Sequence, residues 1–350
     1  MPKAWTIVGI LGVVLGAASL AARGAPQAES KKAGADSIEA IDADYRKGLV
    51  QLERRRLERL ASLAEHQGKD EAERTYEIYF RHALTEGLHT EAEPVAKRVL
   101  GRGAVGPHVA TLAHLVTIAA AADRGAFQES LDSLVAAMKE NAEAKAATTL
   151  PAAARMALLE SYYQRLVQGD QFEIARKAMT LIRDAARDPA IQELAASHLR
   201  QLDLIGKPAP PLEGTDIDGK AVRLADLKGK VVLVLFWATW CLPCAEQVEA
   251  FKEVEADARA KGFRIVGVNL DGVPEGGRPD AALPAVRRFL LEHGVSWPNL
   301  LNGRGPRDHA AAFGVTEIPA NVLIDRDGKV IHLDLTPANL AKVVARTVGK

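Results

Sequence analysis

Cys241 and Cys244 are the only cysteines in the 350 residues, and they stand three positions apart as Cys241-Leu242-Pro243-Cys244. Two cysteines placed at random take this spacing in about one case in a hundred or fewer. A staple between distant segments is excluded, because neither sulfur has another partner. The pair is therefore a local redox switch or half of a metal site. The first reading has a definite chemistry. If Cys241 opens a helix, unpaired amides and the helix dipole favour an anion there, and the thiolate is the nucleophile in disulfide exchange. Cys241 would attack a disulfide. Cys244, one turn further on and expected to be the more buried, would resolve the mixed disulfide. Pro243 suits a first helical turn, where its missing amide would have been unpaired anyway.

The metal reading needs two more ligands. His293, His309 and His332 are available but show no paired spacing, whereas zinc sites group their ligands clearly. His66, His82, His89, His108, His114 and His198 are scattered and read as surface or core residues. A peroxide-reducing site would need a Pro and a Thr or Ser just upstream of a lone cysteine, which Ala238-Thr239-Trp240 does not supply. No metal and no organic cofactor is expected.

The elements around the pair fit the redox reading. Val231 to Trp237 is a continuous apolar run, expected of a central strand covered on both faces. Residues 245–260 follow as a helix with Val248, Phe251, Val254 and Ala258 on one face. Residues 263–270 read as a second buried strand and 283–293 as a helix ending at Gly294. Residues 321–324 and 329–333 read as strands around the Asp325–Gly328 turn, and 339–348 as a last helix. Such alternation predicts a mainly parallel sheet with helices on both faces. Ile217-Asp218-Gly219-Lys220 reads as a hairpin turn. Lys207-Pro208-Ala209-Pro210-Pro211 cannot be helical, so residues 201–212 read as a Pro-rich linker and domain boundary.

Upstream, residues 36–200 read as an all-helical domain. Ile38, Ile41, Tyr45, Leu49, Leu52, Leu60 and Leu63 share one helix face, capped by Asp36 or Ser37. Three stretches follow in which a glycine (Gly87, Gly125, Gly169) separates two helical runs, in the manner of degenerate tetratricopeptide hairpins or an irregular bundle. This region carries no chemistry of its own and would present or recruit a protein partner. All five Tyr precede residue 170, and three of the four Trp follow residue 230, which also separates two units.

Residues 1–22 read as an export signal, cleaved or retained as an anchor. Lys3 is followed by no charge until Arg23, with Ile7, Leu11, Val14 and Leu20 between, and small residues suit cleavage near Ala21 or Gly24. Residues 23–35 read as a flexible leader. The pair would thus work outside the cytoplasm, in a periplasm or cell envelope. Lys plus Arg equals Asp plus Glu at 45 each, which argues against nucleic acid or an anionic membrane surface as the main partner.

Phe236-Trp237-Ala238-Thr239-Trp240-Cys241-Leu242-Pro243-Cys244 resembles the signature of the TlpA/ResA group of exported thioredoxin-like reductases. The likeness runs over about 205–350 and includes Gly206-Lys207-Pro208-Ala209-Pro210, Asp218-Gly219-Lys220, Gly314-Val315, Ile318-Pro319 and Val322 to Lys329. It implies an α/β thioredoxin-like domain, with a central mixed sheet between helices. It implies a thiol–disulfide oxidoreductase acting on protein thiols and disulfides as a reductase, recharged by an upstream membrane thiol donor, with apocytochrome haem-attachment cysteines among its substrates. Pro319 would be cis and packed beside the cysteines, the backbone of Ile318 would pair with an extended substrate segment, and Trp240 and Pro243 would support the site.

Two departures bear on proton transfer. The group carries a Glu three residues after the second cysteine; Gln247 stands here and cannot take a proton. The buried Asp that thioredoxin places six residues before the first cysteine is Leu235. Glu246 and Glu249, the latter replacing a family Pro, are the nearest carboxylates that could relay a proton, although they should point to other helix faces. The rival reading is a partner-binding helical protein with a redox-weak thioredoxin-like scaffold.

Overall fold

The Ser37 side chain accepts the amide of Ala40 at 3.1 Å and so starts the first helix. A computed structural model describes residues 37–103, 105–144, 150–272 and 279–349. The expectations for residues 1–22 and 23–35 lie outside the described residues. Among the described residues eight helices come first: α1 (Ile38–Glu65), α2 (Lys69–Glu86), α3 (His89–Arg102), α4 (Pro107–Asp123), α5 (Phe127–Ala144), α6 (Ala152–Gln168), α7 (Phe172–Ala185) and α8 (Pro189–Leu202). Among the described residues no helix is long and apolar enough to cross a membrane.

The described residues fall into two compact units, divided between Leu158 and Leu159. In the first, α4 is buried through Val109, Leu112, Val116 and Ala120, and Tyr79 meets Phe80 edge-on in the same core. The face read on α1 is corrected: Ile38, Ile41, Tyr45, Leu49, Leu52 and Leu63 are exposed and Leu60 is half-buried, while the helix buries Leu57 and Ala64. Gly87 and Gly125 end their helices with φ of 69° and 74°, as a glycine turn requires. At the third turn the left-handed residue is Asp170 (φ 60°) and not Gly169.

The second unit contains α6 from Leu159, α7, α8 and everything after them. The segment read as a linker is built into it. Gly206 N donates to Val330 O at 2.8 Å, Val330 N to Lys207 O at 3.0 Å and Ala209 N to Gly328 O at 2.9 Å. These bonds cover the edge of the sheet that would otherwise present unpaired backbone. A hairpin of β1 (Glu213–Thr215) and β2 (Ala221–Arg223) lies at the opposite edge, where Ile217 N donates to Asn299 O at 3.0 Å.

Between these edges run β3 (Val231–Trp237), α9 (Leu242–Ala258), β4 (Phe263–Asn269), α10 (Leu283–Glu292), β5 (Asn299–Leu301), α11 (His309–Ala312), β6 (Ala320–Ile324), β7 (Val330–Leu333) and α12 (Pro337–Val348). The sheet order is β5-β4-β3-β6-β7. β3 pairs in parallel with β4, and β4 with β5, whereas β6 is antiparallel to β3 and to β7. The mainly parallel sheet read from alternation is thus corrected to a mixed one. The Asp325–Gly328 turn is too short for a crossover and reverses the chain directly. Every residue of β3 is buried. Leu233, Leu235 and Trp237 join a core with Val248 and Phe251 of α9 and Leu340 and Val344 of α12. On the other face Phe236 meets Phe313 at 5.5 Å.

Candidate active site

β3 ends at Trp237, and the next three residues turn the chain into α9. Leu270 N donates to Trp237 O at 2.8 Å and Cys241 N to Ala238 O at 3.2 Å. The turn is anchored from outside by Asp271, just beyond β4. Its carboxylate accepts the Thr239 amide at 2.9 Å and also the Thr239 hydroxyl, and Asn269 donates to it in turn. Asp271 was not picked out in the sequence, because its partner lies 32 residues upstream. The nearest signal was a carboxylate standing just past the C-terminal end of a buried strand, where sites on open α/β sheets gather.

Cys241 is the N-cap of α9, and Cys244 N donates to Cys241 Sγ at 3.2 Å. A sulfur in that position takes the role of a capping oxygen and meets the positive end of the helix. Pro243 lies in the first turn. Cys241 and Cys244 are joined as a disulfide with Cα atoms 5.2 Å apart. Cys244 is not the more buried of the two: Cys241 is 4% exposed and Cys244 6%. Trp240 and Leu242, by contrast, present 58% and 67% of their surface to solvent beside the bridge.

The Ile318–Pro319 bond is cis. Pro319 and Cys244 line one cavity with Leu235, Gln247, Phe289 and Asn321. Of the residues weighed for proton transfer, Gln247 alone reaches this cavity. Glu246 is exposed, and Glu249 is exposed and paired with Lys252 at 2.8 Å. The spacing accounts for this: positions two and five after Cys244 point away from the face that carries it.

A second cavity on the far side of Pro319 is lined by Glu160, Ser197, His198, Glu317 and Asp334. Glu160 holds His198 Nε2 at 2.8 Å, which keeps its carboxyl below the ordinary range despite burial. Burial pushes the Asp334 carboxyl up to about 7 and raises that of Glu317. The histidines weighed as further metal ligands have other surroundings. His332 pairs with Asp170 at 3.1 Å, His309 is buried at the start of α11, and His293 packs on Phe289.

A dithiol–disulfide pair opening the helix after a central strand, facing a cis proline on a mixed sheet, defines a thioredoxin-fold redox protein. Residues 205–333 match the AhpC/TSA family. Thiol-disulfide oxidoreductase ResA of Bacillus thuringiensis (strain Al Hakam) is 35% identical over 128 residues, which are 37% of this chain and 68% of that protein. ResA of Bacillus subtilis (strain 168) is 32% identical over 128 residues, 37% of this chain and 65% of that protein. Among solved structures, the thioredoxin domain of a thiol-disulfide oxidoreductase from Bacteroides vulgatus aligns at 28% identity and a TM-score of 0.36. It covers 41% of this chain and 97% of that one. The chain belongs to the ResA family of thiol–disulfide oxidoreductases, enzymes whose substrates are protein thiols or disulfides.

Proposed function

We propose that the chain reduces protein disulfides in the periplasm or cell envelope through the Cys241–Cys244 dithiol. The Cys241 thiolate attacks a substrate disulfide; one substrate sulfur joins Cys241, and the other leaves as a thiolate and takes a proton. Cys244 then attacks the mixed disulfide, so that the substrate gains two electrons and the Cys241–Cys244 bond closes. A thiol donor at the membrane reopens it. The observation that carries the reading is the N-cap position of Cys241, with its sulfur accepting the Cys244 amide at 3.2 Å. An ionised sulfur there is stabilised by the same N–H groups. Trp240, Pro243, Ile318 and Pro319 form the surface against which a substrate segment lies.

The export pattern of residues 1–22 supports the location, and the helical region upstream, tetratricopeptide-like in its hairpins, would engage a protein partner. Apocytochrome haem-attachment cysteines are among the substrates to try. Mixed disulfides trapped in the native envelope by a Cys244→Ser variant test the proposal. Captured proteins bound through Cys241, and none with Cys241→Ser, are the expected result. An insulin-reduction assay in which wild type and Cys241→Ser are equally inactive would end the redox reading.

A further inference from the structure

α6 and α8 precede the segment that matches known relatives, yet α8 makes hydrogen bonds to the loop that carries the cis proline, and α6 bonds the turn after β7 that holds the loop's far end. The loop leaves α11 at Phe313 and enters β6 at Ala320. At its start, Ser197 of α8 is 2% exposed, and its hydroxyl donates to Gly314 O at 3.3 Å and bonds the Thr316 hydroxyl at 2.7 Å. Gly314 itself has φ of 68°, and a Cβ there would stand 3.3 Å from Arg200 Cβ and from Gln201 N. α8 therefore presses directly on the loop's first residue.

At the other end the hold comes through Asp334. Its Oδ1 accepts the Asn321 amide at 3.1 Å, and its own amide donates to Asn321 O at 2.7 Å. Gln168, the last residue of α6, donates to Asp334 O through its amide nitrogen. Its oxygen accepts from Thr336 N at 3.3 Å and from Asn339 Nδ2 at 2.7 Å. Asn321 in turn lines the cavity that holds Cys244 and Pro319. Four residues, Glu317 to Ala320, are thus strung between two clamps, each fastened by a helix from outside the matched segment.

We propose that Ser197 and Gln168 are positioning residues for disulfide exchange, holding the Ile318–Pro319 loop in register with the cysteine pair from α8 and α6. The proposal rests on the reading given under Proposed function. A substrate backbone can lie along the loop and bring its disulfide to Cys241 only if the loop is fixed, so loosening it weakens binding of an extended segment and shows as a higher KM with kcat little changed. The two side chains touch neither sulfur. Their loss acts on alignment of an extended substrate and leaves the thiol pair's own chemistry in place.

The test uses the full chain with Ser197→Ala and Gln168→Ala, each confirmed as folded by circular dichroism. Steady-state reduction of insulin and the equilibrium of the Cys241–Cys244 pair with glutathione are both measured. The expected result is a KM for insulin raised about tenfold in each variant, with kcat and the glutathione equilibrium constant held within about twofold. Gln168→Glu keeps the accepting oxygen and should recover part of the loss. If Ser197→Ala does not fold, Gln168, partly exposed at the other end, carries the test. An unchanged KM in folded variants overturns the proposal. So does a glutathione equilibrium that moves along with KM, because the thiols themselves would then be perturbed. A wild type that leaves insulin oxidised instead sinks the underlying redox reading, and the positioning role with it.

Discussion

Thiol acidity at this site is set by what surrounds two sulfurs. Cys241 has helix amides, whereas Cys244 faces a cavity whose walls are Leu235, Phe289, Pro319 and the amides of Gln247 and Asn321. Among the described residues no carboxylate lines that cavity. A charge introduced at Gln247 would act at close range and with little screening. Gln247→Glu is therefore expected to make the Cys244 thiol harder to ionise, since a carboxylate disfavours a neighbouring thiolate. Titrating the reduced protein by thiolate absorbance, with Cys241→Ser to isolate Cys244, checks this. A shift downward would mean that position 247 does not face the thiol.

Among the elements, α8 fits closely on the loop before the cis proline. Gly314 and Gly219 both sit in the left-handed region, with φ of 68° and 84°. A Cβ at Gly219 meets nothing within 4 Å, while one at Gly314 runs into α8. Both Gly→Ala changes should carry the cost of a left-handed non-glycine residue, on the order of 1–2 kcal/mol. Gly314→Ala should cost more by a further ~1 kcal/mol or above, because the helix or the loop has to move. Urea denaturation of the two variants separates the terms; equal losses would show that α8 does not press on Gly314. The Asp271 anchor belongs to the same scale, as the end of β4 fixes the turn that leads from β3 to the cysteines.

At the scale of the whole molecule, one buried carboxyl links stability to pH. Burial raises Asp334 from its ordinary 3.8 to about 7, and the charge of Glu160 adds to this; the Asn321 amide and His198 work in the other direction. The folded chain therefore holds this proton more tightly than the unfolded chain. Its contribution is greatest below about pH 4, is lost as pH rises from about 4 to about 7, and changes no further above that. Asp334→Asn removes the titration while keeping an oxygen for the Asn321 amide. Melting temperatures measured from pH 4 to pH 8 should fall less steeply with pH in the variant than in the wild type. Parallel curves would show that Asp334 titrates normally.

The cysteine pair, the buried strand before it and the helix it opens were legible because each depends on neighbours within a few residues. Periodicity fixes a buried strand, and a three-residue spacing puts two sulfurs on one turn. The larger elements from Phe263 to Val348 were legible for the same reason; β5 (Asn299–Leu301) and α11 (His309–Ala312) were not, being three and four residues long and too short to show a period. Spacing also placed Glu246 and Glu249 off the sulfur face. Other features were settled only by folding, because their partners are far apart in the chain. Asp271 reaches back 32 residues to Thr239, Ser197 reaches 119 residues ahead to Thr316, and Gln168 reaches 171 to Asn339. Prolines at 208, 210 and 211 forbid helix but do not decide whether a segment hangs free or lies along β7; the open sheet edge decided that. Hydrogen bonds of this range leave no periodic trace, so the sequence determined the redox chemistry, while only the tertiary structure drew α6 to α8 into the unit that performs it.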